Sequence, residues 1–140
     1  MPLAILIPIM VLWGVFAETH SAKFDTFHED LIASAYAARE FVTQEYPHYD
    51  PIVLEFTTEG PNTFSKLPSE DKGAVIVNLA SYNEYDYYGS LEAIQHTVFH
   101  EFGHISGFIS EVGANSYAKG MMNRFKNLQE STEDNKDHIL

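Results

Sequence analysis

Five apolar side chains, Leu91, Ile94, Val98, Phe102 and Ile105, recur at steps of three and four residues in the second half of this 140-residue chain. That is the period of one helix face, so the segment is committed to a helix that buries one stripe and keeps the other side wet. At about 100° per residue, His100 and His104 project from the wet side. They are the ends of His100-Glu101-Phe102-Gly103-His104, an HExxH pattern. Such a helix needs a packed surface against its stripe and an open groove over its histidines, and the rest of the chain has to supply both.

The flanks of the helix carry their own signals. Ser90 is placed to cap it, Glu92 favours its first turn, and Gly107 stops it just after Ser106. Upstream, Phe27, Leu31, Ala35, Ala38 and Val42 share one helical face, which predicts a helix over Phe24 to Tyr46, ended by Pro47 and Pro51. Residues Ile52 to Thr57 are rich in β-branched and aromatic types and predict a strand. Gly60, Pro61 and Pro68 mark residues 59–72 as a loop. The run GAVIVNLA, Gly73 to Ala80, predicts a second strand, at the sheet edge beside the cleft, and Tyr82 to Gly89 an aromatic loop. A last helix is expected from Glu111 to about Leu128, followed by a polar, frayed tail over 129–140. The sum is an α+β domain over residues 18–128: a backing helix, a short mixed or antiparallel sheet, the HExxH helix and a following helix that begins with Glu111. No internal repeat is present.

Composition narrows the chemistry. There is no cysteine, so disulfides, thiolate metal sites and a Cys nucleophile are excluded, and a transition-metal site must use His and carboxylate. A formal charge of -12 argues against nucleic acid and against anionic membrane surfaces, since both reward Lys and Arg. Residues Leu3 to Ala17, LAILIPIMVLWGVFA, carry no charge. They are shorter than the roughly 20 residues of a membrane span and fit a signal-peptide core, with small residues for cleavage after Ala17. Residues 1–17 are therefore read as a signal peptide or membrane anchor. The expected setting is secreted or periplasmic, with tethering by the same segment as the alternative.

Residues four apart on a helix lie one above the other, so both imidazoles of HExxH can reach one zinc ion at about 2.0–2.1 Å. Glu101 points about a quarter-turn away, toward a water on the metal rather than the metal itself. His96 shares the wet face, but three histidines at i, i+4 and i+8 span about 12 Å, too far for one ion, so His96 is read as surface. A catalytic zinc keeps three protein ligands, and two readings compete for the third. HEFGHISGF resembles the metzincins, in particular the matrixins, with Gly107 at the glycine position and Met121-Met122 as a stand-in for the methionine turn. The third histidine would then fall at Ser110, a poor ligand.

The stretch Glu111 to Ala118 reads ExxANxYA and, with HExxH, resembles the gluzincins. The small members of that group, the minigluzincins and the ImmA/IrrE-type proteins, are the most similar, over Gly73 to Phe125. The resemblance implies a small zincin-like fold and one Zn2+ per chain held by His100, His104 and Glu111. It also implies Asn115 orienting the first histidine, and Glu101 as the base of a peptidase. The helix pattern agrees with it, because Glu111, Ala114, Asn115, Ala118, Met122 and Phe125 share one stripe. A carboxylate at the end of that stripe is expected to be partly desolvated, a cost that a metal would remove. The bland reading makes Glu111 a first-turn acid and Ser110 its cap.

On the substrate side, Tyr117 is a candidate for stabilising the oxyanion of peptide hydrolysis, as are Tyr82, Tyr85, Tyr87 and Tyr88. The second strand is expected to align an extended peptide or protein substrate by backbone pairing, with Asn78 adding a side-chain contact. The alternatives are a non-catalytic interaction protein on the same scaffold and a degraded matrixin-like metzincin.

Overall fold

The computed structural model of the chain describes residues 23–60, 63–66 and 73–139; the signal-peptide or anchor reading of residues 1–17 lies outside them. The described elements are α1 (Lys23–Glu45), β1 (Val53–Thr57), β2 (Phe64–Lys66), β3 (Ala74–Asn78), α2 (Tyr87–Ile105) and α3 (Glu111–Ile139). Short 3-10 turns at Pro47–Tyr49, Leu79–Ser81 and Glu84–Asp86 join them. The class is α+β and mostly helical. Among the described residues no helix is long and apolar enough to cross a membrane.

The sheet is mixed, in the order β1-β3-β2. Strand β3 runs parallel to β1, with Val53 opposite Ala74 and Thr57 opposite Asn78, and antiparallel to β2, with Phe64 opposite Ile76. This corrects the expectation that GAVIVNLA forms the edge beside the cleft. All five residues of β3 are buried, and a continuous apolar run is the mark of a strand covered on both faces rather than an edge. The edge next to α2 is β2, three residues in a stretch whose Pro and Gly content reads as loop.

Two helix boundaries also differ from the sequence reading. Helix α2 starts at Tyr87, and Ser90 lies inside its first turn. The Ser90 hydroxyl instead accepts from the Asn83 N–H at 3.1 Å and donates to the Asn83 carbonyl at 2.8 Å, fastening the preceding turn. Helix α3 continues to Ile139 through the residues expected to fray. No Gly or Pro follows Gly120 to stop it.

The core forms where the predicted stripes meet. Phe27, Leu31, Ala35, Ala38 and Val42 of α1 are all buried, as are Ile94, Val98 and Phe102 of α2 and Ala114, Ala118, Met122 and Phe125 of α3. One aromatic from each helix closes the centre. Phe41, Phe99 and Phe125 meet pairwise edge-on, with ring centroids 6.1, 5.4 and 6.0 Å apart. Such contacts add about 0.5–1.5 kcal/mol each beyond area burial. Helices α1 and α2 run in the same direction: Phe27 meets Tyr87 at their starts, while Phe41 meets Phe99 near their ends.

One polar pair lies in this interface. The Tyr87 hydroxyl donates to the Asp30 carboxylate, and Asp30 is buried. Burial pushes the Asp30 carboxyl above its usual range, only partly countered by the tyrosine bond. A carboxyl raised on folding destabilises the native state once pH passes the unfolded value of about 3.9. Asp30→Asn keeps an acceptor for Tyr87 and removes the charge. It should raise the melting temperature at pH 7 and lose that advantage below about pH 4, as thermal melts across pH would show.

Candidate metal centre

The six residues between His104 and Glu111 form a hairpin whose turn is fixed by one glycine. Gly107 has φ +111°, a region other residues enter only at a cost. It closes α2 with the paired bonds of a Schellman turn: Phe108 N–H to the Gly103 carbonyl at 3.0 Å, and Gly107 N–H to the His104 carbonyl at 3.1 Å. Ser110 then caps α3, its hydroxyl accepting from the Gly113 N–H at 3.0 Å. Beneath the turn, Gly103 lets the helices approach closely. A Cβ there would stand 3.2 Å from the Ala114 Cα and from the Tyr117 ring.

This close approach brings four acceptor atoms together. Glu111 Oε2 lies 2.9 Å from His100 Nε2, and Glu111 Oε1 lies 3.0 Å from His104 Nε2. The two Nε2 atoms are 3.1 Å apart. Each ring is held from behind. His100 Nδ1–H donates to Asn115 Oδ1 at 2.7 Å, and His104 Nδ1–H donates to the Phe108 carbonyl at 2.7 Å. A carbonyl can only accept, so His104 must carry a proton on Nδ1. In the neutral ring its Nε2 is then a bare lone pair, and the Asn115 amide oxygen sets the same tautomer in His100. With neutral rings, two bare nitrogens and a carboxylate thus face one another, and the set is stabilised by a cation between them, whether protons on the imidazoles or a metal ion.

Glu101 is the third member of a group with His100 and His104 that can hold a metal ion, with one donor atom from each within 4.8 Å of the others. It sits deeper than Glu111, at 7% exposure. Burial raises its carboxyl above the usual range, while a hydrogen bond from Ser65 and the two histidines pull it back. Glu111 is the opposite case. Its side chain is 76% exposed, so the expected partial desolvation is not observed; the carboxylate closes the site from the solvent side.

Other predicted residues fall elsewhere. Asn78 is buried, its side chain accepting from the Ala80 N–H at 2.9 Å and donating to the Gly60 carbonyl at 3.4 Å. It fastens the sheet to its loops. Tyr117 is two residues beyond Asn115 and so projects about 200° around α3. Its ring stacks on Phe108 at 5.6 Å, and its hydroxyl is buried beside Ser106 without a well-formed hydrogen bond. With Tyr46, Tyr49, Met121 and Arg124 it lines a cavity of about 520 Å³ that contains none of the histidines named above. Tyr85 and Tyr88 are exposed, and Tyr87 belongs to Asp30. Tyr82, bonded to Thr97 Oγ1 at 3.0 Å, is the tyrosine whose hydroxyl feels the Glu101 charge. Ser65 escaped the sequence reading because β2 is too short to show a period.

No protein-family model matches the chain, and no curated protein or solved structure gives a significant match. The site is therefore read from its own chemistry.

Two substitutions test the second layer of contacts. Asn115→Ala should weaken divalent-metal affinity about 10–100-fold with little change in fold, measured by competition with a chelating dye. Gly107→Ala strains the turn by about 1 kcal/mol and displaces the Phe108 carbonyl. It should lower both the melting temperature and metal affinity.

Proposed function

We propose that this chain is a small zincin-like, zinc-dependent peptidase with a gluzincin type of ligand set. The observation that carries the reading is the convergence of His100 Nε2, His104 Nε2 and the Glu111 carboxylate within 2.9–3.1 Å of one another. Donors on one tetrahedral zinc, at about 2.0–2.1 Å per bond, stand about 3.3 Å apart, so the set fits after opening by a few tenths of an ångström. Two nitrogens and one carboxylate, with no thiolate, suit zinc and leave one coordination position open.

His100, His104 and Glu111 would hold the ion, one per chain, and Asn115 and Phe108 fix the ring orientations. Zinc, when bound there, supplies a Lewis acid that polarises a carbonyl and acidifies water. Glu101 takes a proton from water at the reacting centre and returns it to the leaving amine as the peptide C–N bond breaks. Its raised carboxyl suits both halves of that exchange, since a base poised nearer neutrality also serves as the acid. Ser65 holds Glu101 from the edge strand, and Tyr82, whose hydroxyl donates to Thr97 Oγ1, would serve as oxyanion donor in place of Tyr117 by turning from that bond. An extended peptide would pair with the free edge of β2, beside α2, rather than with β3.

Two features favour this reading over its rivals. Ser110 spends its hydroxyl on capping α3, and Met121 and Met122 are buried inside that helix rather than forming a turn, so the matrixin-like alternative lacks both of its marks. A non-catalytic metal site has no use for a carboxylate kept buried beside the histidines, where desolvation disfavours its charge. The proposed substrates are peptides or proteins. The proposed setting outside the cytoplasm rests on the apolar run Leu3 to Ala17 alone.

Purified protein should bind one zinc per chain. Glu111→Ala should lose it, while Ser110→Ala should keep it and lose about 1 kcal/mol of stability. Wild type should cleave casein, and Glu101→Gln should retain zinc yet lose cleavage by at least about 100-fold. Zinc retained in Glu111→Ala would refute the ligand set; full activity in Glu101→Gln would refute the mechanism.

A further inference from the structure

Antiparallel packing arranges the facing side chains of α2 and α3 as rungs, each about 6 Å or one helical turn from the next. Nearest the hairpin, Glu111 meets His104 and His100 at 3.0 and 2.9 Å. One turn on, Asn115 meets His100 at 2.7 Å. Further along, Lys126 meets Glu92 at 2.7 Å. The last two of these rungs are complementary in themselves, and the first becomes so with a cation between its atoms. The rung between Asn115 and Lys126 is not: it sets Lys119 of α3 against His96 of α2, and the lysine charge works against protonation of that histidine.

The mismatch stands out against the charges of the chain. There are 20 acidic residues to 8 Lys and Arg, so a carboxylate partner would be easy to supply. Four Lys or Arg side chains are described: Arg39, Lys119, Arg124 and Lys126. Three of them pair with Asp50, Glu45 and Glu92. Among the described residues, Lys119 alone of the four has no carboxylate within ion-pair distance. The nearest acid along α2, Glu92, is already bonded to Lys126. The opposing face of α2 is cut back to Gly89 and Ala93, and the space that opens is a cavity of about 490 Å³ lined also by His96, Lys119, Met122, Asn123 and the Glu92–Lys126 ion pair. With Glu92 and Lys126 cancelling, Lys119 gives this recess a net positive lining, and His96 places it one turn of α2 from His100.

We propose that Lys119, with His96 opposite, forms an anion subsite that takes a carboxylate of the peptide substrate, one helical turn along the groove from the metal-binding histidines. The proposal rests on the peptidase reading. An extended peptide advances about 3.3–3.6 Å per residue, so the recognised carboxylate belongs to the second residue from the scissile bond. It is either an Asp or Glu side chain or the free carboxyl end of a short peptide. In a chain of net charge -12 the rest of the surface repels such groups, so Lys119 decides whether they are accepted.

Peptide hydroxamates anchor at a metal and so fix the register. Three probes would be titrated calorimetrically into zinc-loaded protein at low salt: one with Glu at the second residue, one with Gln there and an amidated end, and one with Gln and a free carboxyl end. The carboxylate-bearing probe of the correct source should bind about three- to fivefold more tightly than the amide. That preference should disappear in Lys119→Met, return in Lys119→Arg and fade as salt is raised. Equal binding of all three probes to wild type, or a preference that survives in Lys119→Met, overturns the subsite and leaves the metal site standing. Failure of every hydroxamate to bind overturns the subsite together with the metal reading.

Discussion

The organisation of this protein depends on a close crossing of two helices that forces lone pairs together. His100 Nε2, His104 Nε2 and the Glu111 carboxylate lie within 2.9–3.1 Å of each other, and the groups behind the rings hold the Nδ1 protons, so that in the neutral rings the Nε2 lone pairs face the carboxylate. A cation between them, protons or a metal ion, relieves that repulsion. A fold that holds such atoms together stores the cost of doing so in its own stability, and a bound cation releases it. The aromatic contacts among the three helices and the buried central strand are the reserve that makes this affordable.

A single backbone conformation links the core to the site. Gly107 permits the turn, the turn puts the Phe108 carbonyl behind His104, and Ser110 starts α3 so that Glu111 arrives over the rings. Gly103 allows α3 to lie close enough for the arrangement to close. The short spacing between HExxH and Glu111 is therefore what the Schellman turn requires, with both helices ending where their partners can be reached. Glu101 lies on the same helix as the two histidines and gains a further hold from Ser65 on the edge strand.

Much of this was legible in the sequence. The stripes of α1, α2 and α3 name most of the core, because a helical period survives wherever a face is buried. His100 and His104 were legible because their spacing matches one turn of a helix, and Glu111 and Asn115 through the resemblance of ExxANxYA, with which the stripe of α3 agrees. Other features were hidden for identifiable reasons. Strand β2 is three residues long and too brief to show a pattern, so Ser65 went unseen and β3 was mistaken for the edge. Asn78 resembles a substrate contact until the 3-10 turn it caps is known. Tyr117 lies within the ExxANxYA stretch, yet two residues along a helix turn a side chain almost to the opposite face. The mismatched rung of His96 and Lys119 became visible only when the two helices were set side by side.

X-ray absorption spectroscopy of the zinc-loaded protein tests the account most directly, because it reports the atoms around the ion without relying on catalysis. The account predicts two imidazole nitrogens at about 2.0–2.1 Å with oxygen completing a four-coordinate shell, and loss of one imidazole in His100→Ala. A shell of oxygen alone, unaltered by that substitution, would contradict it.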